Sequence, residues 1–289
     1  VCVPGKYFSD FIKKLENVQI TLHCESEQLD INYGDSESSI QTLSAEDFPA
    51  IDMKINETRF TLTAADLKDL ISKTTFCCAQ DDSRPVLKGC LIEAKEGVVT
   101  FTALDGYRMA IAKKNLVSMS GEVKIVCPAR TLNEIGRMIS SDEQELDIFV
   151  QKNMMLVRID DTVLTSRLYE GDFINVSGII PKNFASEVAV NKNLLAESVD
   201  RASVLARTDK NSILTFDIKE DGMDESVPVM LEGKDVNIAL NSKYIGECLS
   251  SISEDTVRIS FNGAVSPCII VPAEGESFLY LILPVRTTA

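Results

Sequence analysis

Acid–base or nucleophilic catalysis needs a histidine, a carboxylate pair or an activated serine or cysteine at workable spacing, and this sequence offers few of them. His23 is the single histidine. It lies in the alternating segment Ile20-Thr21-Leu22-His23-Cys24, where an exposed strand residue is expected, and one histidine cannot build HExxH or a three-histidine zinc site. Asp81-Asp82 and Asp160-Asp161 are adjacent carboxylates, but neighbours on a turn point apart, so solvated turns are expected. The eight cysteines, Cys2, Cys24, Cys77, Cys78, Cys90, Cys127, Cys248 and Cys268, form no CxxC pair and are expected to be reduced and mostly buried. No GxSxG, GxxxxGK[ST] or GxGxxG occurs in the chain. Acyl transfer, phosphate cradling and zinc hydrolysis therefore lack their residues, and neither a cofactor nor a metal is expected.

Binding chemistry remains. Lys6 with Lys13, and Arg130 with Arg137, are seven residues apart, which places each pair on one helix face. Apolar spacing predicts helices over 5–16, 64–80, 129–139, 192–207 and 242–252. These segments hold eleven basic and eight acidic residues, a net of +3, against −18 for the rest of a chain whose total is −15. Overall acidity argues against phosphate binding, whereas segregation of charge suits a polyanion on one side only. Lys6, Lys13, Lys68, Lys73, Arg130, Arg137, Arg201 and Arg207 are the candidates to face it. On charge alone a solvated face stays an open alternative.

The elements that would carry these residues alternate between two half-modules. In one, a short strand and turn lead into a helical stripe and then three strands: Val3-Pro4 before Phe8, Phe11 and Ile12; Val126-Cys127-Pro128 before Leu132, Ile135 and Ile139; Ile238 to Asn241 before Ile245, Leu249 and Ile252. In the other, a strand reaches a helix cap: Phe60 to Thr63, with Thr63 and Asp66 spaced as a capping box, and Val188 to Asn191, with Asn191 as N-cap. Five half-modules are an odd number, so the first domain is expected to lack its first half.

The 289 residues, 45% hydrophobic and 25% charged, fit two or three ordinary folded domains. The longest apolar runs, such as Tyr280 to Leu283, are too short to cross a bilayer, and Val1-Cys2-Val3-Pro4 has no charged region before an apolar stretch. A cytoplasmic protein without a membrane segment is expected.

Phe76-Cys77-Cys78-Ala79-Gln80-Asp81-Asp82-Ser83-Arg84-Pro85-Val86-Leu87-Lys88-Gly89 and then Thr102-Ala103-Leu104-Asp105-Gly106-Tyr107-Arg108-Met109-Ala110 resemble the second domain of bacterial β sliding clamps, the β subunit of DNA polymerase III. There a D-x-R-x-x-L-x-G segment is followed by A-T-D-G-[HY]-R-L-A. Tyr280-Leu281-Ile282-Leu283-Pro284-Val285-Arg286 is similar to that family's ending, and Val3-Pro4, Asp47-Phe48-Pro49 and Pro128 fall where the family has them. The resemblance implies an α+β fold of repeated DNA-clamp domains, with helices lining a central hole and antiparallel sheets outside. The domains would span 1–53 (a partial first domain), 54–182 and 183–289.

It further implies a non-enzymatic processivity factor. Such a chain, as a head-to-tail homodimer when full length, would enclose double-stranded DNA without reading its sequence. It would tether the polymerase III α subunit, the clamp loader and repair proteins bearing a clamp-binding motif. The implied peptide pocket takes Arg84, Leu87, Leu104, Gly106, Tyr107, Arg108 and Met109 from the second domain. Asn241, Tyr244, Leu281, Leu283, Pro284, Val285 and Arg286 come from the third. Ile174, Gly178 and Ile179 belong to the pocket floor, with Ile174 where the family commonly has proline and Gly178 where it has a basic residue. The segment Ile218 to Ser226 also runs straight into the next strand where the family has an additional strand and loop. Both this and the partial first domain predict a weak dimer at most. The alternative from another class is a β-rich protein-interaction scaffold that does not act on DNA.

Overall fold

A computed structural model describes residues 1–48, 58–206, 212–219 and 227–286. They divide into two compact units, Val1–Lys54 and Ile55–Ala289. Pro49, Arg207 and most of the 218–226 segment named above lie outside the described residues.

In the first unit, helix α1 (Gly5–Ile12) precedes an antiparallel meander of β1 (Ile20–Glu25), β2 (Gln28–Tyr33) and β3 (Ser36–Gln41). Leu29, Ile31 and Ile40 form its small core, with Phe8, Phe11 and Ile12 packed on them from the helix stripe. The helix stops four residues short of expectation. Lys14 and Leu15 donate their N–H groups to Phe11 and Ile12, three residues back, so the last turn tightens and ends.

The second unit contains two repeats. The first runs β4 (Arg59–Thr63), α2 (Ala64–Thr74), β5 (Gly89–Lys95), β6 (Val98–Leu104), β7 (Arg108–Asn115), β8 (Ser118–Ser120), β9 (Val123–Pro128), α3 (Ala129–Met138), β10 (Glu145–Gln151), β11 (Met154–Ile159) and β12 (Thr162–Arg167). The second runs β13 (Ser186–Asn191), α4 (Lys192–Ala206), β14 (Ile213–Ile218), β15 (Val229–Gly233), β16 (Val236–Asn241), α5 (Ser242–Ser251), β17 (Thr256–Phe261), β18 (Cys268–Pro272) and β19 (Phe278–Ile282). Strands β6 and β7 separate β5 from β8, whereas only segment 219–228 separates β14 from β15.

Both expected helix caps form. Thr63 Oγ1 accepts the Asp66 N–H at 3.1 Å and donates to the Asp66 carboxylate at 2.8 Å, and Asn191 Oδ1 accepts the Leu194 N–H at 3.0 Å. Helix α2 ends at Thr74 instead of continuing to residue 80. The hydroxyls of Thr74 and Thr75 bond back to the carbonyls of Leu70 and Ile71, and the chain tightens into a 3-10 turn, Thr75–Cys77.

The two repeats share a sheet of nine strands in the order β15-β13-β17-β18-β19-β7-β6-β5-β9. Its seam is the antiparallel pairing of β19 with β7, in which Leu281 faces Met109 and Ile282 faces Arg108. The all-apolar run of β19 follows from burial of both its faces. Phe278, Tyr280 and Ile282 enter the main core, while Leu279 and Leu281 join a second cluster on the opposite face. A five-stranded sheet, β12-β11-β10-β4-β8, and the pair β14-β16 complete the unit among the described residues.

His23, the paired aspartates and the cysteines take ordinary places. The His23 side chain is 66% exposed. Asp81 caps a turn by accepting from Ser83, which holds its carboxyl below the usual range, and Asp160 sits at φ 50° in the β11–β12 turn. Six cysteines are buried; Cys2 is half-buried and Cys24 exposed. Among the described residues no group of three His, Cys, Asp or Glu could hold a metal, and no helix is long and apolar enough to cross a membrane.

Candidate functional site

The turn Asp105-Gly106-Tyr107 between β6 and β7 is the element from which the site is built. Asp105 Oδ1 accepts the N–H groups of Tyr107 at 2.9 Å and Arg108 at 3.0 Å. Gly106 takes φ +92°, a conformation that costs a side-chain-bearing residue strain. This geometry sends the Tyr107 ring outward, 63% exposed, and the Arg108 side chain inward, 7% exposed.

Arg108 is committed on every donor edge. Nε meets the Asp105 carboxylate at 3.1 Å, Nη1 meets the Glu247 carboxylate, and Nη2 donates to the Phe76 carbonyl at 2.7 Å. Its guanidinium lies 4.5 Å from the Tyr244 ring centroid and 5.3 Å from that of Phe76. Tyr244 is fixed in turn by Asn241, whose Oδ1 accepts from the N–H groups of Lys243 and Tyr244 at the start of α5. Tyr107 stacks on Tyr244 with centroids 6.4 Å apart.

The C-terminal strand meets this cluster from the second repeat. The Leu283 N–H donates to the Tyr107 carbonyl at 2.9 Å, and the Val285 N–H to the Ala239 carbonyl at 2.8 Å. Pro284 and Val285 are half-buried and Arg286 is exposed. On the sheet face opposite the main core lies an apolar floor of Ala79, Leu87, Leu104, Met109, Ile269 and Leu281, with Phe173, Ile174, Val176, Ile180 and Phe184 of the inter-repeat connection packed against it.

The expected residues thus divide. Leu87, Leu104, Met109 and Leu281 are 3–5% exposed and form floor, not open wall. Tyr107, Leu283 and Ile179 are the exposed apolar members, at 63%, 37% and 44%. Ile180 packs on the floor beside Ile174, and Ile179 does not join that cluster. Arg84 and Gly178 are exposed, and a side chain at Gly178 would meet open space. Arg108, expected as a pocket residue, is buried and bonds across to Glu247 of the second repeat, so it is a strut between repeats.

Sequence reasoning missed Ile269, Ala79 and Glu247. Ile269 is the cross-strand partner of Leu281, so strand alternation carried the signal. Glu247 lies three residues after Tyr244, on the same face of α5. A separate cavity of about 870 Å³ lies under α4, lined by Val199, Leu214, Phe216, Val229, Ile245 and Phe261 among others. Its lining also includes Ser198, Arg201, Thr215, Asp217 and Lys219.

The basic candidates fare unevenly. Lys73 is only 4% exposed, with its ammonium 3.1 Å from Asp69, 3.6 Å from Glu254 and 5.3 Å from the Phe278 ring centroid. It is an internal counter-ion and cannot reach a phosphate. Lys68 is held by Asp142 at 2.7 Å. Lys6, Lys13 and Arg130 are exposed; Arg137 and Arg201 are exposed with partners on their own helices, Glu134 at 3.1 Å and Glu197 at 3.9 Å. The observed, shorter helices carry eight basic and seven acidic residues, so their excess falls from the expected +3 to +1.

Comparison with known proteins finds relatives over nearly the whole chain. Residues 1–52, 61–175 and 177–286 match, in order, the families described as the N-terminal, central and C-terminal domains of the DNA polymerase III beta subunit. The chain is 29% identical to the beta sliding clamp of Staphylococcus aureus over 301 aligned positions, covering 99% of this chain and 80% of that one. It is similar to the crystal structure of the DNA polymerase sliding clamp from Bacillus subtilis, with a TM-score of 0.89, 26% identity, and 99% and 80% of the two chains covered. The DNA polymerase III beta chain of Streptococcus pneumoniae matches with a TM-score of 0.86, 27% identity and 98% and 79% coverage.

Proposed function

The chain belongs to the bacterial DNA polymerase III β subunit family, and from that premise we propose that it is a sliding clamp, a non-catalytic processivity factor that encircles duplex DNA and tethers proteins to it. Its domains divide at 1–53, 54–182 and 183–289. When full length, the protein forms a head-to-tail homodimer that encloses double-stranded DNA inside the cell, and Lys68, Arg130, Arg137 and Arg201 of the second unit are the candidates to face it. A helical excess of one charge is too small for tight phosphate binding. Retention by enclosure does not need it.

The polymerase III α subunit, the clamp loader and other carriers of a clamp-binding motif dock across the seam of the two repeats. The observation that carries this reading is the joint of Leu283 to the Tyr107 carbonyl at the end of the seam whose Met109 and Leu281 belong to the apolar floor. Two residues with exposed apolar side chains, from different repeats, are thereby backbone neighbours across the seam, and Arg84 and Arg286 are exposed cations among the residues expected of this site. A short peptide with large apolar side chains fits such a site.

The test is primer extension on a primed circular template with the cognate polymerase and clamp loader. Addition of this chain lengthens the product of single binding events. A scaffold that does not act on DNA leaves product length unchanged.

A further inference from the structure

We propose that Glu247 is a positioning residue for the inter-repeat groove, acting through Arg108 without touching the bound peptide. This inference rests on the groove assigned above and extends it to a residue outside its walls.

The argument begins with what Arg108 joins. Its Nε partner, Asp105, belongs to the same turn, and its Nη2 partner, the Phe76 carbonyl, belongs to the same repeat. Glu247 is the only carboxylate from the second repeat that reaches it among the described residues. A guanidinium that is 7% exposed is poorly solvated, so its charge must be met by placed anions. Removing Glu247 leaves Asp105 as the single anion and removes the charge-assisted bond to α5. The ring contact with Tyr244 remains, but it fixes a distance better than an orientation.

The same turn supports the groove. Asp105 Oδ1 holds the N–H groups of Tyr107 and Arg108, the Tyr107 ring stacks on Tyr244, and the Tyr107 carbonyl receives the Leu283 N–H. A path of direct contacts therefore runs from Glu247 to Arg108, to the turn, and to Tyr107 and Leu283, the exposed apolar pair at the seam. Glu247 is not part of the apolar floor. Its carboxylate also approaches Lys243 at 3.9 Å, one helical turn away, which orients it along α5 towards the seam.

The inference is separable from the floor itself. Floor residues fix whether the repeats pack; the Glu247–Arg108 pair fixes where the turn stands relative to α5. Loss of the pair should loosen the spacing of Tyr107 and Leu283 while the shared sheet, held by the β7–β19 ladder, persists.

The test uses the whole chain and a fluorescein-labelled ten-residue peptide with two adjacent large apolar residues, selected for binding that Leu283→Ala weakens. Affinity by anisotropy and melting temperature are measured on Glu247→Ala, Glu247→Gln and Arg108→Lys. Glu247→Ala and Arg108→Lys should each weaken binding about tenfold, the scale of one charge-assisted bond. Glu247→Gln keeps an acceptor and should recover most of the loss. In the Leu283→Ala background the effect of Glu247→Ala should shrink, because both changes act on one contact path.

Unchanged affinity in Glu247→Ala, with the Leu283 dependence intact, overturns the positioning role and leaves the groove standing. An affinity loss in Glu247→Ala that simply tracks a fall in melting temperature, with no rescue by Gln, also overturns it. Failure to select any peptide that depends on Leu283 overturns the groove and this inference together.

Discussion

The backbone N–H of Leu283 donates to the carbonyl of Tyr107 at 2.9 Å, a hydrogen bond between residues that lie far apart in sequence and belong to different repeats. It sets an exposed leucine from one repeat beside an exposed tyrosine from the other, one strand position beyond the pairing of Ile282 with Arg108.

Leu281 and Leu283, two residues apart, should respond differently to truncation. Leu281 is 3% exposed in the floor, so Leu281→Ala should cost about 2–5 kcal/mol of stability. Leu283 is 37% exposed, so Leu283→Ala should barely move the melting temperature while weakening a clamp-binding peptide about tenfold. Calorimetry and anisotropy on the same two proteins check this. Equal loss of stability in both would place Leu283 in the core instead.

Direct DNA binding should be weak, should fade as salt rises, and should fall further in Arg130→Ala/Arg137→Ala, since both side chains are exposed on α3. The double substitution should leave stability within about 0.5 kcal/mol. Filter binding to a short linear duplex across a salt series measures it. Unchanged binding would mean that α3 does not face DNA.

Lys73→Met should do the reverse. Its ammonium serves Asp69 and Glu254, so the substitution should lower stability by about 1–3 kcal/mol and leave DNA affinity where it was. A lowered DNA affinity at unchanged melting temperature would contradict the internal role.

Much of this was legible in sequence because β-strand alternation and helix caps are local signals. Thr63 and Asn191 were readable as caps from residue type alone, and Phe278 to Ile282 as a strand from its apolar run. The ends of α1 and α2 were not. The apolar stripe continued past them, while Thr74 and Thr75 ended α2 by bonding back to its own carbonyls. Lys73 looked like a surface lysine because its two acidic partners come from positions 69 and 254, and the second is brought close only by the tertiary fold. For the same reason the strut formed by Arg108 with Glu247 and Tyr244 of α5 was not readable from its motif.

Thiol labelling should divide the cysteines sharply. Burial raises the thiols of Cys77, Cys78, Cys90 and Cys127 and pushes Cys268 up to about 12, so near pH 8 these groups are protonated as well as inaccessible. Cys24 should react first in the native protein and Cys2 more slowly, and the buried six only after unfolding. A chromogenic disulfide reagent with peptide mapping reads the order. Fast native labelling at any buried cysteine would contradict the packing described.

The claim that this chain holds DNA by enclosing it is tested most directly on one plasmid in two topologies. The labelled chain is loaded with the cognate clamp loader onto nicked circular DNA, and half the sample is then linearised and passed through gel filtration at a salt concentration that abolishes direct binding. The account predicts that the chain co-elutes with the circle and is lost from the linear form. Equal retention on both forms, or equal loss from both, would contradict it.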